Sequence, residues 1–341
     1  MIDNTKFLTR SQSIINRLIL HPNFKECRPK TNNYFSLMHK EYGVKLSFDF
    51  RKLMKDGELI GFVFLEICVS PHYHFNNYKH NGNDFTPSNS IKSLIDIFHY
   101  IGISKSEFEE LKVCNIEFGI NLLPDTDIKK LVDGLKFYKR TPFKVQNYPY
   151  YKITRATSYK QIKAYAKGLQ FHDYPDYMIN INTFRFEVKS KQSKKIKQYG
   201  IYTANDLMEI QTYVTLGQNI LNEWENVLVI NNYPKFYDIN KVNKKYIEEY
   251  KKTDVWIQMY SVKFQREKEK YYKMLRFDNN LHLQVKQKII DKLSLLFDVT
   301  NSTKKSFINK GNSLNVYTPS QLLNLENVTY NQNQTICYNQ L

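Results

Sequence analysis

CNIEFGIN, residues 114–121, alternates between apolar and polar positions, and two later stretches repeat the pattern. Here Cys114, Ile116, Phe118 and Ile120 fall on one side, and Asn115, Glu117, Gly119 and Asn121 on the other. In YKQIKAYAK (159–167), Ile162, Ala164 and Ala166 alternate with Tyr159, Gln161, Lys163, Tyr165 and Lys167. In TFRFEVK (183–189), Phe184, Phe186 and Val188 alternate with Thr183, Arg185, Glu187 and Lys189. Successive strand side chains point to opposite faces. Each stretch is therefore predicted to be a strand that buries one face and offers a polar one. If the three share a sheet, two carboxylates, two tyrosines and several bases meet on one surface. An antiparallel sheet ordinarily carries a solvated face of mixed charge, and alternation alone favours that reading.

Outward from these strands, residues 45–50 alternate, with Leu46, Phe48 and Phe50 on one face. Residues 62–69 form a more continuous apolar run that suits a central strand. Residues 70–88, rich in Asn, His, Gly and Pro, read as a long loop. Ser90 is the expected N-cap of a helix burying Ile91, Leu94, Ile95, Ile97 and Phe98. A short helix is expected over 104–111, and Asp125 or Thr126 is expected to cap another that carries Ile128, Leu131, Val132 and Leu135. Residues 150–155 and 159–167 read as a hairpin. Helical pattern resumes at Thr203 and runs to about Phe297, with breaks near Pro234 and Asp254. The predicted class is α+β: an antiparallel-rich twisted sheet with helices packed on one face, followed by a mainly helical C-terminal region. The expected division is a catalytic domain over 1–225, a helical region over 226–300 and a loosely packed tail over 301–341.

The chain has 341 residues and a net charge of +17, with a pI near 9.4. AT-rich codon usage would account for abundant Lys, Asn, Tyr and Ile. It would supply Asp and Glu as well, yet 33 acids stand against 50 bases. The excess favours a polyanionic partner, because each base that neutralises a phosphate releases a counterion. Cys27, Cys68, Cys114 and Cys337 are scattered without a CxxC, which argues against a disulfide framework or a zinc site. The start, MIDNTKFLTR, lacks a signal-peptide apolar core. The longest apolar stretch, LIGFVFLEICV (59–69), is broken by Glu66 and too short to span a bilayer. A soluble protein in the cytoplasm of a bacterial host, with no membrane partner, is the expectation.

The polar faces suit phosphodiester chemistry. A tyrosine nucleophile must approach phenolate character, although its free pKa is about 10. Glu117 and Glu187 are the carboxylates available to hold Mg²⁺ or Mn²⁺, which is usually bound by one or two carboxylates. Arg185, Lys163 and Lys167 are placed to neutralise phosphates and to favour ionisation of Tyr165. Lys189, Lys194 and Lys195, in the lysine-rich run after the Glu187 strand, are candidate backbone contacts.

Five segments in order resemble the filamentous-phage gene II/X replication initiators and, in type, the Rep-trans initiators of rolling-circle plasmids. They are FLEICVSPHYHFNNYKHNGNDFTPSNSIKSLIDIF (64–98), CNIEFGINL (114–122), DIKKLVDGL (127–135), SYKQIKAYAKGLQF (158–171) and TFRFEVKSKQSKKIKQYGIYTANDL (183–207). The resemblance covers roughly residues 60–215, and the region after 225 lies outside it. It implies nicking of one strand at a double-stranded origin, a 5′-phosphotyrosine link, and a free 3′-hydroxyl for a polymerase. It implies Tyr165 as nucleophile, Glu187 as the carboxylate of RFE beside Arg185, and Glu117 where the phage pattern tends to have Asp. Implied partners are supercoiled origin DNA, the nicked strand, a host helicase and polymerase, and a second copy as a homodimer; the replicon is a phage, prophage or plasmid.

Rival assignments stay open. Tyr159 is an alternative nucleophile, six residues from Tyr165. His72 and His74, with His80 nearby, are alternative metal ligands of the kind that HUH endonucleases use. His172 and Asp173 are possible acid–base partners. Asp49 is expected at the surface, and Glu66 is undecided. A non-catalytic origin-binding or copy-control protein fits the same charge.

Overall fold

The computed structural model describes residues 1–297, apart from 156, 237 and 238. Its strands, in chain order, are β1 (Ile2–Thr9), β2 (Phe24–Glu26), β3 (Tyr34–His39), β4 (Gly43–Lys55), β5 (Glu58–Val69) and β6 (Lys112–Leu122). They continue with β7 (Leu135–Tyr138), β8 (Thr141–Pro142), β9 (Lys144–Gln146), β10 (Tyr148–Arg155), β11 (Lys160–Ala166), β12 (Phe184–Ser190) and β13 (Val227–Val229). Ten of them form one antiparallel sheet in the order β2-β3-β4-β5-β1-β6-β12-β11-β10-β9, and β13-β7-β8 form a small second sheet. The expected hairpin is β10–β11, paired from Tyr151↔Tyr165 to Arg155↔Gln161. The run expected to be central is β5, flanked by β4 and β1.

The helices are α1 (Gln12–Ile19), α2 (Pro71–Phe75), α3 (Pro87–Tyr100), α4 (Ile128–Gly134), α5 (Lys167–Gln170), α6 (Ser193–Lys197), α7 (Ile210–Trp224), α8 (Lys241–Tyr250), α9 (Thr253–Ile257), α10 (Ser261–Met274) and α11 (Leu281–Leu296). The stretch expected as a continuous loop contains α2, which starts on Pro71, where proline's missing N–H costs nothing. The next helix begins earlier than predicted. Thr86 caps it, its hydroxyl accepting from Asn89 N at 3.1 Å, and Ser90 lies buried inside. The α4 cap is Asp127, which accepts from Lys130 N at 3.0 Å, rather than Asp125 or Thr126.

Each long strand turns its apolar set to one side. Leu46, Phe48, Phe50, Leu65, Ile67, Val69, Phe118, Ile120, Ile162, Ala164, Phe184, Phe186 and Val188 join one core with Leu94, Phe98, Leu216, Ile220 and Trp224 of α3 and α7. The Trp224 ring stands edge-on to Phe186, with centroids 5.2 Å apart. The chain after 225 enters this body in two ways. Strand β13 pairs with β7, and α11 adds Val285, Ile289 and Leu293 to the main core. A second core gathers Phe137, Leu228, Ile247, Trp256, Phe264 and Tyr271. The described residues lie in one compact unit, which residue 225 falls within. The tail expected over 301–341 lies outside the described residues. No helix among the described residues is long and apolar enough to cross a membrane.

Candidate active site

Register brings the three alternating strands side by side. Glu187 of β12 faces Gly119 of β6 and Lys163 of β11, and Lys189 faces Glu117. The polar positions of β6, β11 and β12 therefore do share one surface. That surface is covered rather than solvated: Glu117, Tyr165, Lys167, Arg185 and Glu187 are all buried.

A fourth strand adds a carboxylate that alternation did not find. In the pairing of β1 with β6, Ile2 faces Phe118 and Asn4 faces Glu117, so Asp3 is an extra residue. A bulge of this kind re-aims a side chain. Asp3 is ion-paired to Arg185 Nη2 and receives His72 Nδ1 at 2.9 Å. A second bulge, opposite Lys6 and Phe7, corrects the inner face of β6. Val113 points to the core there, while Cys114 is half-buried with its thiol 3.4 Å from Lys6 O.

The Tyr165 hydroxyl donates to Glu187 Oε1 at 2.7 Å. Arg185 Nε donates to the same oxygen, and Arg185 Nη1 donates to Asn121 Oδ1 at 2.6 Å. Lys163 lies between two carboxylates, bonded to Glu117 Oε1 and 3.2 Å from Glu187 Oε2. Lys189 reaches Glu117 Oε2 at 2.7 Å. Lys167, the first residue of α5, donates to Asn81 Oδ1 at 2.5 Å and Gln170 Oε1 at 3.1 Å, with Tyr165 Oη 3.4 Å away. The cover is built by Asn81 and its neighbours and by Tyr151, whose ring centroid is 4.5 Å from that of Tyr165. Gly168 lets the 180–181 backbone close over α5: a Cβ there would lie 2.3 Å from the carbonyl oxygens of Asn180 and Ile181.

Burial and charge set the ionisation. Burial opposes the Glu117 carboxylate, but Lys163 and Lys189 outweigh it and pull its pKa down to about 2. Asp3 is likewise held well below the usual range, Arg185 overcoming its burial. Glu187 goes the other way: burial raises it despite Lys163 and Arg185. Burial, and then the Glu187 charge, push Tyr165 well above 10. Burial and Arg185 lower Lys167 to about 8. Low dielectric strengthens each of these effects.

Asp3, Glu117 and Glu187 each place a carboxylate oxygen within 4.8 Å of the others. An all-oxygen, anionic donor set suits a hard cation such as Mg²⁺ or Mn²⁺, so these residues fit the metal expected from the sequence, with Asp3 added to the set.

Of the remaining candidates only His72 touches the cluster, through Asp3; the others lie apart. Tyr159 precedes β11 and is half-buried. Its six-residue separation from Tyr165 amounts to roughly 20 Å at about 3.4 Å per residue. Lys194 is exposed on α6, and Lys195 Nζ bonds Gln198 Oε1 at 2.7 Å. His72 and His74 sit on α2 and do not converge. His72 is buried between Asp3 and Asn83, and burial drops its pKa to about 4. His74 Nδ1 lies 3.3 Å from Tyr78 Oη. The His80 ring lies tilted against Tyr177, centroids 4.7 Å apart. His172 and Asp173 are exposed. Asp49 is buried rather than superficial. It accepts from Ser36 Oγ at 2.7 Å and pairs with Lys30 at 2.8 Å, while Glu66 opposite it pairs with Lys30 and Lys6.

No family model matches the sequence, and no curated protein matches it. Among solved structures, the chain is similar to a rolling-circle replication initiator protein from Geobacillus stearothermophilus, at 12% identity and a TM-score of 0.38, over 71% of this chain and 89% of that one.

Proposed function

We propose that this protein is a DNA-nicking replication initiator of the rolling-circle type, with Tyr165 as its nucleophile. The observation that carries the reading is the Tyr165 hydroxyl, 2.7 Å from Glu187 Oε1, among three buried carboxylates and four bases. The ordered sequence resemblance over 60–215 supports it independently.

In this reading Tyr165 Oη attacks the scissile phosphorus and the P–O3′ bond breaks. The phenolic proton passes to Glu187 Oε1, to which it is already hydrogen-bonded. Burial raises the affinity of Glu187 for that proton, which suits a general base. The phenolate that develops lies beside Arg185 and Lys167. The departing 3′-oxygen takes a proton from water and becomes the free 3′-hydroxyl, and the 5′-phosphate stays on Tyr165. Asp3, Glu117 and Glu187 would hold Mg²⁺ or Mn²⁺, which would supply charge neutralisation for a phosphate oxygen. Tyr165 is only 3% exposed, so DNA must displace part of the cover, Tyr151 or the segment carrying Asn81, to reach it. Lys194 and Lys195 on α6 would contact the backbone of the duplex. The assigned partner is origin DNA in a bacterial cytoplasm, with host helicase and polymerase acting on the product.

The test is incubation with Mg²⁺ and supercoiled DNA carrying the protein's own replicon. The expected products are relaxed circles and a covalent 5′ adduct, both lost in Tyr165→Phe, with nicking slowed about 10²–10⁴-fold in Glu187→Gln. Normal nicking by Tyr165→Phe would sink the assignment. The deep burial of Tyr165 favours one second reading, a DNA-binding protein whose polar cluster is purely structural. That reading expects no adduct from the wild type and intact DNA binding.

A further inference from the structure

Lys163 occupies an unusual position for a phosphate-contacting base. Its ammonium lies between Glu117 and Glu187, bonded to one and 3.2 Å from the other. These are two of the three carboxylates whose oxygens converge within 4.8 Å. An ammonium and a divalent cation cannot both sit between the same oxygens, because the two charges repel at contact distance. The other internal bases are held differently. Arg185 is locked by Asp3, Glu187 and Asn121 with its side chain only 2% exposed. Lys189 bonds the other Glu117 oxygen, Oε2, at 2.7 Å. Among the described residues Lys163 alone bridges the pair, and 15% of its side chain still reaches solvent, so its four-carbon stem has a way out.

Charge points the same way. Asp3, Glu117 and Glu187 face four bases, Arg185, Lys163, Lys167 and Lys189. A divalent cation added to that set leaves an excess of three positive charges. If Lys163 leaves as the cation enters, the excess falls to two, which phosphodiesters of the bound strand neutralise.

We propose that Lys163 and the divalent cation exchange at the Glu117–Glu187 pair, and that the expelled ammonium turns to the DNA backbone, so that metal and DNA bind cooperatively. This rests on the proposed function for its metal and its substrate. Linkage makes the effect reciprocal: whatever factor DNA contributes to metal affinity, metal contributes to DNA affinity.

The test reads Mn²⁺ binding by electron paramagnetic resonance, in Tyr165→Phe protein so that no covalent step intervenes, with and without oligothymidylate. Oligothymidylate is expected to tighten Mn²⁺ binding about tenfold. Adding Lys163→Met to the same protein is expected to tighten Mn²⁺ binding about tenfold without DNA and to abolish most of the DNA effect. Lys163→Gln serves as the second variant, with circular dichroism reporting the fold of each. Mn²⁺ affinity unchanged by both Lys163 variants overturns the exchange while leaving the nicking reading standing. Mn²⁺ binding that survives Glu117→Gln and Glu187→Gln overturns both the exchange and the metal assignment.

Discussion

Replacing Glu117 by glutamine removes one charge from the centre of the site and keeps its shape. Glu117 is 6% exposed and holds Lys163 and Lys189, which bring its pKa from an ordinary 4.5 to about 2. That displacement corresponds to about 3 kcal/mol at 1.36 kcal/mol per tenfold. Breaking a buried ion pair from one side typically costs 3–5 kcal/mol, and the 22% exposure of the Lys189 side chain lets that base rehydrate, which favours the lower end. Urea unfolding at pH 7 in EDTA, followed by the emission of the buried Trp224 and Trp256, should show Glu117→Gln less stable by about 3 kcal/mol. The pH dependence makes the test sharper. A carboxyl whose folded pKa is depressed stabilises fully above its unfolded value and loses that stabilisation as pH falls toward the folded one. The gap between wild type and variant should be flat above about pH 5.5, shrink to roughly 2 kcal/mol at pH 3.5, and vanish below about pH 2. A gap under about 1 kcal/mol at pH 7, or one that stays constant down to pH 3, would refute the claim that two lysines hold this carboxylate ionised.

Gly119 faces Glu187 across the sheet, and a Cβ there would lie 2.6 Å from Phe186 O and 2.7 Å from Glu187 Cγ. Gly119→Ala should therefore cost about 1–3 kcal/mol as overpacking and weaken Mn²⁺ binding with it; an unchanged melting temperature in calorimetry would contradict this. His282 stacks between Trp224 and Tyr272, with Nε2 3.1 Å from Trp224 O, and burial lowers its pKa from 6.5 to about 4. Between pH 6.5 and 4 the unfolded chain takes up a proton that folded His282 refuses, so stability should fall by up to about 3 kcal/mol as pH drops through that window. His282→Gln should flatten this part of the profile, and parallel profiles for the two proteins would count against it.

Period-two alternation located β6, β11 and β12 because it is a local property, and it put Glu117, Lys163, Tyr165, Arg185 and Glu187 on common faces. It could not supply the register that sets Lys189 opposite Glu117, since pairing is a contact between distant parts of the chain. Asp3 was illegible for a related reason. A bulge depends on the strand opposite, and nothing in MIDNTKFLT shows that Asp3 turns away from its regular place. The decisive property, whether the polar face is wet or covered, was also not local. Residues 70–88 look like a loop because they are rich in Asn, His, Gly and Pro, yet they include α2 and the Asn81–Asn83 segment that closes over the sheet. Closure changes the chemistry of residues whose identities were already plain. The same glutamates and lysines on a solvated face would be screened and close to their ordinary ionisation. Under cover, one carboxylate falls to about 2, another rises, and a lysine drops to about 8. The ionisation that suits this face to chemistry therefore comes less from which residues alternate than from what buries them.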